Sequence, residues 1–407
     1  MIKSQPPSEI DVLIIGTGLS GISMAGHLGM MCPEIDYMVL ERRDRIGGTW
    51  DQFRYPGVRS DSDMHTLGFD FEPWKHEDAI ADGHAILDYL NRIVEERRIS
   101  ENMHFGFEVV SADWDSSRAR WIVTARGKDG TSAIIAARLL YFASGYYDDD
   151  NPHDADLPGL GRFGGQTVHP QFWPEDLDYQ GKDVVVIGSG ATAVTIVSAM
   201  ADTASSVTML QRTPSWMAPG PRCDTWGKRF ERWFPEKPAY WLTRQKNIAL
   251  RSYFFGLSRR KPRVLAEKLR GLQRGALRKS YEPRHFEPPY NPWQQRLCLM
   301  PDGNLFTAMR RGHAHIVTDR IAGFDDGGVK LQSGDYTSGY LERAKHLMPK
   351  VAAERPWTLR HNYREDKRDF RQRPVADGVL RFVHASAQTD ISCEQDAAGN
   401  TQAIAAE

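Results

Sequence analysis

The chain of 407 residues carries a formal net charge of -1, with 41% hydrophobic and 26% charged residues. That balance describes a globular protein of two or three domains and gives no global reason to expect nucleic acid as a partner. Cys32, Cys223, Cys298 and Cys393 stand far apart with no C-x-x-C, which argues against a redox pair or a zinc site and fits a reducing, cytoplasmic compartment. Residues 1–10 lack the apolar stretch of a secretory signal, and no run approaches the ~20 apolar residues that cross a bilayer.

Asp11 to Ile15 is an apolar run that opens into Gly16-Thr17-Gly18-Leu19-Ser20-Gly21, and a helical pattern follows to about Gly29. A second apolar strand, Tyr37 to Leu40, ends in Glu41. The order strand, glycine turn, helix, strand, acid is a dinucleotide-binding unit. Gly16 permits the tight turn, Gly18 lets backbone approach a pyrophosphate, and Gly21 lets helix and strand pack closely. The helix N-terminus offers N–H groups to phosphates, and Glu41 is placed to accept from ribose hydroxyls. The stretch from Arg45 to Met64 is rich in glycine and alternating charge, which predicts a long functional loop. Residues 78–99 read as a helix whose core face carries Ile86, Leu87, Leu90, Ile93 and Val94. Segments 107–114, 120–125 and 133–142 read as strands of a small antiparallel sheet, and 148–158 as an acidic, proline-containing hinge.

Phe163 to Pro174 has the spacing F-x-G-x-x-x-H-x-x-x-W-P, with Phe163, Gly165, His169, Trp173 and Pro174 at the set places. Beyond it, Lys182 to Ile187 opens into Gly188-Ser189-Gly190-Ala191-Thr192-Ala193-Val194, a second nucleotide turn. The following strand, Val207 to Leu210, ends not in an acid but in Gln211-Arg212-Thr213. A guanidinium there suits a 2′-phosphate, hence NADPH rather than NADH, although an arginine taken alone is also a common solvated strand end. Residues 222–284 hold eighteen Arg and Lys against five Asp and Glu, interleaved with Trp226, Trp233, Phe234, Trp241, Tyr253 and Phe254. Leucines at helical spacing make this a helical insertion. Packing within the protein is the favoured reading, and peripheral contact with an anionic membrane stays open. Runs at His315 to Thr318 and Gly328 to Leu331 return to the second nucleotide domain.

With its fingerprint set between two glycine turns, the chain resembles the Baeyer–Villiger type of class B flavoprotein monooxygenases. The segments Arg54 to Met64, Gly188 to Val194 and Tyr290 to Cys298 look most like the ethionamide-activating subgroup. The resemblance implies an α/β protein of two Rossmann-like domains that uses FAD, NADPH and O2 to oxidise a ketone or sulfide through a C4a-peroxyflavin. It implies FAD contacts at Gly16, Gly18, Ser20, Gly21, Glu41, Thr49, Trp50, Asp51, Gln52, Asp61 and Val109. NADPH contacts are implied at Arg59, Ser60, Gly188, Ser189, Gly190, Ala191, Thr192, Ala193, Val194, Arg212 and Thr213. Arg296 takes the place of the family's active-site arginine and Asp61 that of the carboxylate pairing with it. His169 is expected to couple the linker to both domains during nicotinamide movement.

The expected layout is an FAD domain at 1–148, linker and NADPH domain at 149–221, helical insertion at 222–284, NADPH domain again at 285–334, and an FAD-domain remnant at 335–407. After Ser333-Gly334 the family pattern continues into a second linker and a block of roughly a hundred residues that returns to the FAD domain. This chain passes instead to Asp335-Tyr336-Thr337-Ser338-Gly339-Tyr340, which is similar to the family's C-terminal region. An absent block predicts uncovered apolar sheet, aggregation or poor flavin retention. The rival readings are an oxygenase restricted to nitrogen or sulfur, a flavin disulfide reductase, which needs the cysteine pair this chain lacks, and a nucleotide-binding remnant without oxygenation.

Overall fold

The computed structural model describes residues 6–153, 155–295, 297–334, 336–338 and 340–343. Its first unit grows from β1 (Glu9–Ile15), α1 (Leu19–Met31) and β2 (Tyr37–Glu41). β1 and β2 pair in parallel, and Leu13, Ile14, Val39 and Leu40 are buried. Helices on both faces explain why these strands are continuously apolar rather than alternating. Two short helices, α2 (Thr49–Gln52) and α3 (Met64–Leu67), punctuate the long loop, and α4 (Gly83–Glu96) follows it. On α4, Ile86, Leu90, Ile93 and Val94 enter the core as expected, while Leu87 turns toward the backbone of Gly47.

The sheet is completed by β3 (Met103–Phe105), β4 (Phe107–Asp115), β5 (Arg120–Gly127) and β6 (Ser132–Phe142) in the order β3-β2-β1-β6-β5-β4. The expected small antiparallel sheet is therefore not separate. β6 runs parallel to β1 on one edge and antiparallel to β5 on the other, so one strand serves both halves. Sequence periodicity reports which face of a strand is buried, not which neighbour it takes.

In the second unit β7 (Thr167–Val168), β8 (Asp183–Ile187), α5 (Ala191–Met200) and β9 (Ser206–Gln211) come first, followed by β10 (Trp216–Gly220). The insertion contributes α6 (Thr225–Trp233), α7 (Glu236–Arg260) and α8 (Pro262–Leu277), with Pro262 at the position where its missing N–H costs least. The chain continues through α9 (Pro283–Phe286), β11 (Leu297–Pro301), α10 (Asn304–Arg311) and β12 (Ala314–Thr318). It closes with β13 (Ile321–Asp325), β14 (Gly328–Leu331), β15 (Tyr336–Ser338) and β16 (Tyr340–Arg343). A parallel sheet in the order β12-β9-β8-β16-β7 is the unit's centre, beside a β10–β11 pair and a β13-β14-β15 meander.

The segment from 335, expected to return to the first unit, begins in the second. β15 extends the meander, and β16 lies between β8 and β7 with Leu341 opposite both Val185 and Thr167. β8 otherwise has an open edge, and a parallel strand there satisfies its backbone groups. Residues 344–407 lie outside the described residues.

Candidate functional site

Both glycine turns sit at the carboxyl ends of parallel strands, the place where open α/β sheets bind ligands. In the first turn Gly16 has a φ of +104°, and a side chain on Gly21 would place its Cβ 1.9 Å from the Gly16 carbonyl oxygen. Only glycine fits at Gly21. Gly18 provides the extended N-cap of α1, and Ser20 in its first turn shares a hydrogen bond of 3.1 Å with Tyr141 on β6. Glu41 is buried at the end of β2. Its carboxylate accepts from Thr17 N at 2.8 Å, Thr17 Oγ1 at 2.7 Å and Arg43 N at 2.9 Å. A carboxylate has about four acceptor sites, so roughly one remains for a ribose hydroxyl. This turn is shaped and charged to hold a dinucleotide such as FAD.

Thr49, Trp50, Asp51 and Gln52 form α2, entered from Gly48 at a φ of 52°. Asp51 is buried and ringed by guanidinium groups, pairing with Arg43, with Arg54 at 3.0 Å and with Arg45 at 3.3 Å. Its side chain thus fastens the loop, while Trp50 packs against the first core. Val109 lies on β4 opposite Ala125, at a bulge, packed on the Leu13–Met38–Leu40 cluster.

The second turn repeats the geometry with different ends. Gly188 has a φ of 148° and its N–H donates to Leu210 O at 2.8 Å. Ser189 accepts a hydrogen bond of 3.1 Å from Ser215, Gly190 caps α5, and Ala191, Thr192, Ala193 and Val194 form its first turn. At the end of β9, Gln211 turns inward to His285 O and Thr318 Oγ1, whereas Arg212 is exposed. Among the described residues the Arg212 guanidinium has no carboxylate partner. Thr213 beside it is half-buried.

Residues 54–63 join the two units. A Cβ on Gly57 would lie 2.8 Å from Ala199 Cβ on α5, so the first unit's loop touches the second unit's helix directly. Tyr55 packs into the same core. Arg59 is buried, its Nη2 donates to Leu299 O on β11 at 3.5 Å, and its Nη1 lies 3.6 Å from Asp61 without a hydrogen bond. A buried guanidinium with an unused donor at the seam between two nucleotide turns is suited to an anionic or carbonyl group of a bound cofactor. Ser60 is fully buried, and its hydroxyl accepts from Ala81 N at 3.0 Å, which pins the loop. Asp61 is exposed. Its expected partner, Arg296, lies outside the described residues.

The fingerprint segment packs on the second unit. Phe163 packs on the Phe324–Val329–Leu331 cluster and Trp173 on the core around α5. His169 Nδ1 accepts from Gln171 N at 3.2 Å, and Gln171 donates to Asp148 O at 2.6 Å, tying the linker to its own start. Gly165 would meet the Phe163 ring if it carried a Cβ, at 2.6 Å. Pro174 follows Trp173 half-buried at the surface.

The insertion proves to be a clamp. Arg222 bonds Asp78 and Asp82 at 2.7 Å each, and Arg244 on α7 donates to the carbonyls of His65 at 2.6 Å and Gly68 at 2.9 Å. Asn247 reaches Asp63 and Asp224 at 3.0 Å each. Burial pushes Asp224 up, but hydrogen bonds from Lys246, Gly227 N and Asn247 outweigh it and hold the carboxyl below its usual range. His65 goes the other way, because burial lowers its pKa more than the attraction of Asp63 and Asp224 raises it.

Sequence reading missed Thr17, Arg43 and Arg54 as supports of the first turn. For Arg54 a signal existed, since it lies only three residues after Asp51, close enough for the opposite charges to meet across the end of α2. Arg222 and Arg244 carried no such signal, because their partners are distant in sequence.

A family model described as pyridine nucleotide-disulphide oxidoreductase matches residues 13–228. The FAD-containing monooxygenase EthA of Mycobacterium tuberculosis (strain ATCC 25618 / H37Rv) is 45% identical over 328 residues, which cover 80% of this chain and 67% of that protein. An oxidized steroid monooxygenase bound to NADP superposes with a TM-score of 0.66 at 22% identity, covering 82% of this chain and 70% of that one. The open crystal structure of cyclohexanone monooxygenase does so with a TM-score of 0.66 at 22% identity, covering 83% and 73%. These two likenesses concern the fold alone.

Proposed function

The chain belongs to the FAD-containing monooxygenases of the pyridine nucleotide-disulphide oxidoreductase family, and we propose that it oxidises NADPH and inserts one atom of O2 beside a ketone carbonyl or onto sulfur. The observation that carries this reading is the pair of unlike strand ends, buried Glu41 after the first turn and exposed Arg212 after the second. A carboxylate suits ribose hydroxyls, and a guanidinium suits a 2′-phosphate.

The first turn fits FAD through the glycine cradle and Glu41, the second fits NADPH through α5's N-terminus and Arg212, and Arg59 faces the seam. When bound, FAD supplies hydride acceptance and activation of O2. The residues of this chain do the rest. The Gly57 contact with α5 holds the two turns in register, so that a hydride donor and its acceptor meet in one orientation. Arg296, assigned to the reacting centre by resemblance, keeps its charge throughout the working pH range and favours negative charge developing on oxygen. Asp61 orients it.

A second reading, nucleotide binding without oxygenation, is favoured by Phe142 and Tyr146, 61% and 59% exposed beside the first turn. Replacing Arg296 separates the two. Arg296→Ala is expected to retain NADPH oxidation while ester formation from a ketone falls on the order of a hundredfold. Unchanged ester yield would remove Arg296 from the chemistry, and a parent protein that forms neither ester nor sulfoxide would favour the second reading.

A further inference from the structure

The insertion keeps large apolar rings in water. Trp226, Trp233, Phe234, Trp241 and Tyr253 are 49%, 61%, 44%, 59% and 62% exposed. These are not misplaced core residues, because α7 already buries the opposite arc, with Tyr240, Arg244, Asn247 and Ile248 sealed inward. At 3.6 residues per turn, Trp241, Tyr253 and Arg260 fall within about a third of the helix circumference, on the outward side. The helix spans 25 residues, about 37 Å. At its far end Arg259, Arg260, Lys261 and Arg263 are exposed, and among the described residues none of the four makes an ion pair or side-chain hydrogen bond. At its near end the α6–α7 turn presents Trp233 and Phe234, and the Arg229 guanidinium lies 4.7 Å from the Trp226 ring centre.

We propose that the outer face of α6, α7 and the α7–α8 corner is a peripheral docking surface for an anionic lipid bilayer. Soluble surfaces rarely keep so many exposed rings in one short stretch without a partner for them. Tryptophan prefers the headgroup layer of a membrane, where its ring is half in hydrocarbon and its N–H remains wet. The cations match the negative surface of anionic lipid. A second copy of the chain would bring the same uncompensated cations together. Nucleic acid is the occupant that the duplex-DNA arm of the test below distinguishes. Among the described residues no helix is long and apolar enough to span a bilayer, so the contact lies on the surface. None of this rests on the cofactor reading.

Co-sedimentation of the full chain with vesicles tests it, using pure phosphatidylcholine and phosphatidylcholine mixed with phosphatidylserine. Binding is expected to the mixed vesicles and to weaken with salt. The variant R259S/R260S/K261S is expected to lower partition on the order of a hundredfold, and W233S/W241S about tenfold or more. Thermal unfolding and NADPH oxidation should stay at parental values in both, since these side chains are exposed and belong to neither turn. Two results would overturn the proposal: equal binding of parent and variants after subtraction of protein that pellets without vesicles, or salt-sensitive binding to duplex DNA with none to vesicles.

Discussion

Gly21 carries the clearest residue-scale consequence. A methyl group there must displace the Gly16 carbonyl from 1.9 Å, which opens the turn that faces the pyrophosphate. Gly21→Ala is expected to weaken FAD binding on the order of tenfold or more, read as the ratio of flavin to protein absorbance after dialysis. Gly29→Ala is its control. That glycine lies exposed inside α1 with nothing within 4 Å of a new Cβ, so the change should stabilise by up to about 1 kcal/mol and leave flavin content alone. At the second turn, Arg212→Ala should raise the KM for NADPH about tenfold or more and that for NADH little. Equal effects on both coenzymes would dissociate Arg212 from the 2′-phosphate. These positions were legible in the sequence because a turn is a local object, with cause and effect within a few residues. Asp61 and Arg296 were assigned only through resemblance.

At the scale of elements, the insertion determines how firmly the two units are joined. Arg244 binds carbonyls at the end of α3, where a cation also opposes the helix dipole. Arg244→Met should cost about 3 kcal/mol, measured by urea unfolding, because it strands buried carbonyls. The same junction makes stability depend on pH. His65 is neutral in the folded protein at pH values where a free histidine, with an ordinary value of 6.5, takes up a proton. Unfolding therefore binds a proton as pH falls below that value, and stability drops with it. In His65→Gln the loss of thermal stability between pH 7.5 and 5.5 should shrink, and an unchanged loss would assign it elsewhere. That the insertion is helical could be read from leucine spacing. That it clamps residues 63–82 could not, since long-range pairing leaves no periodic trace.

For the whole molecule, the two-turn architecture was legible because apolar runs and glycine turns recur in the same order twice. The placement of β6 and β16 was not, since neighbour choice in a sheet depends on which backbone edge is open. Among the described residues Val110, Ile134, Leu139, Phe142 and Tyr146 leave apolar surface on the first unit. That surface predicts concentration-dependent association, readable by light scattering, which added FAD should reduce by favouring the folded unit. If this chain brings a flavin and NADPH together for oxygen chemistry, the two must exchange electrons on one protein. The measurement that tests it most directly is the visible spectrum of the purified protein with excess FAD, titrated with NADPH without air and then opened to air. Protein-bound flavin bands should bleach with NADPH, faster than with NADH, and return on admission of oxygen. Protein that stays colourless after removal of free FAD, or bound flavin that NADPH never bleaches, would contradict it.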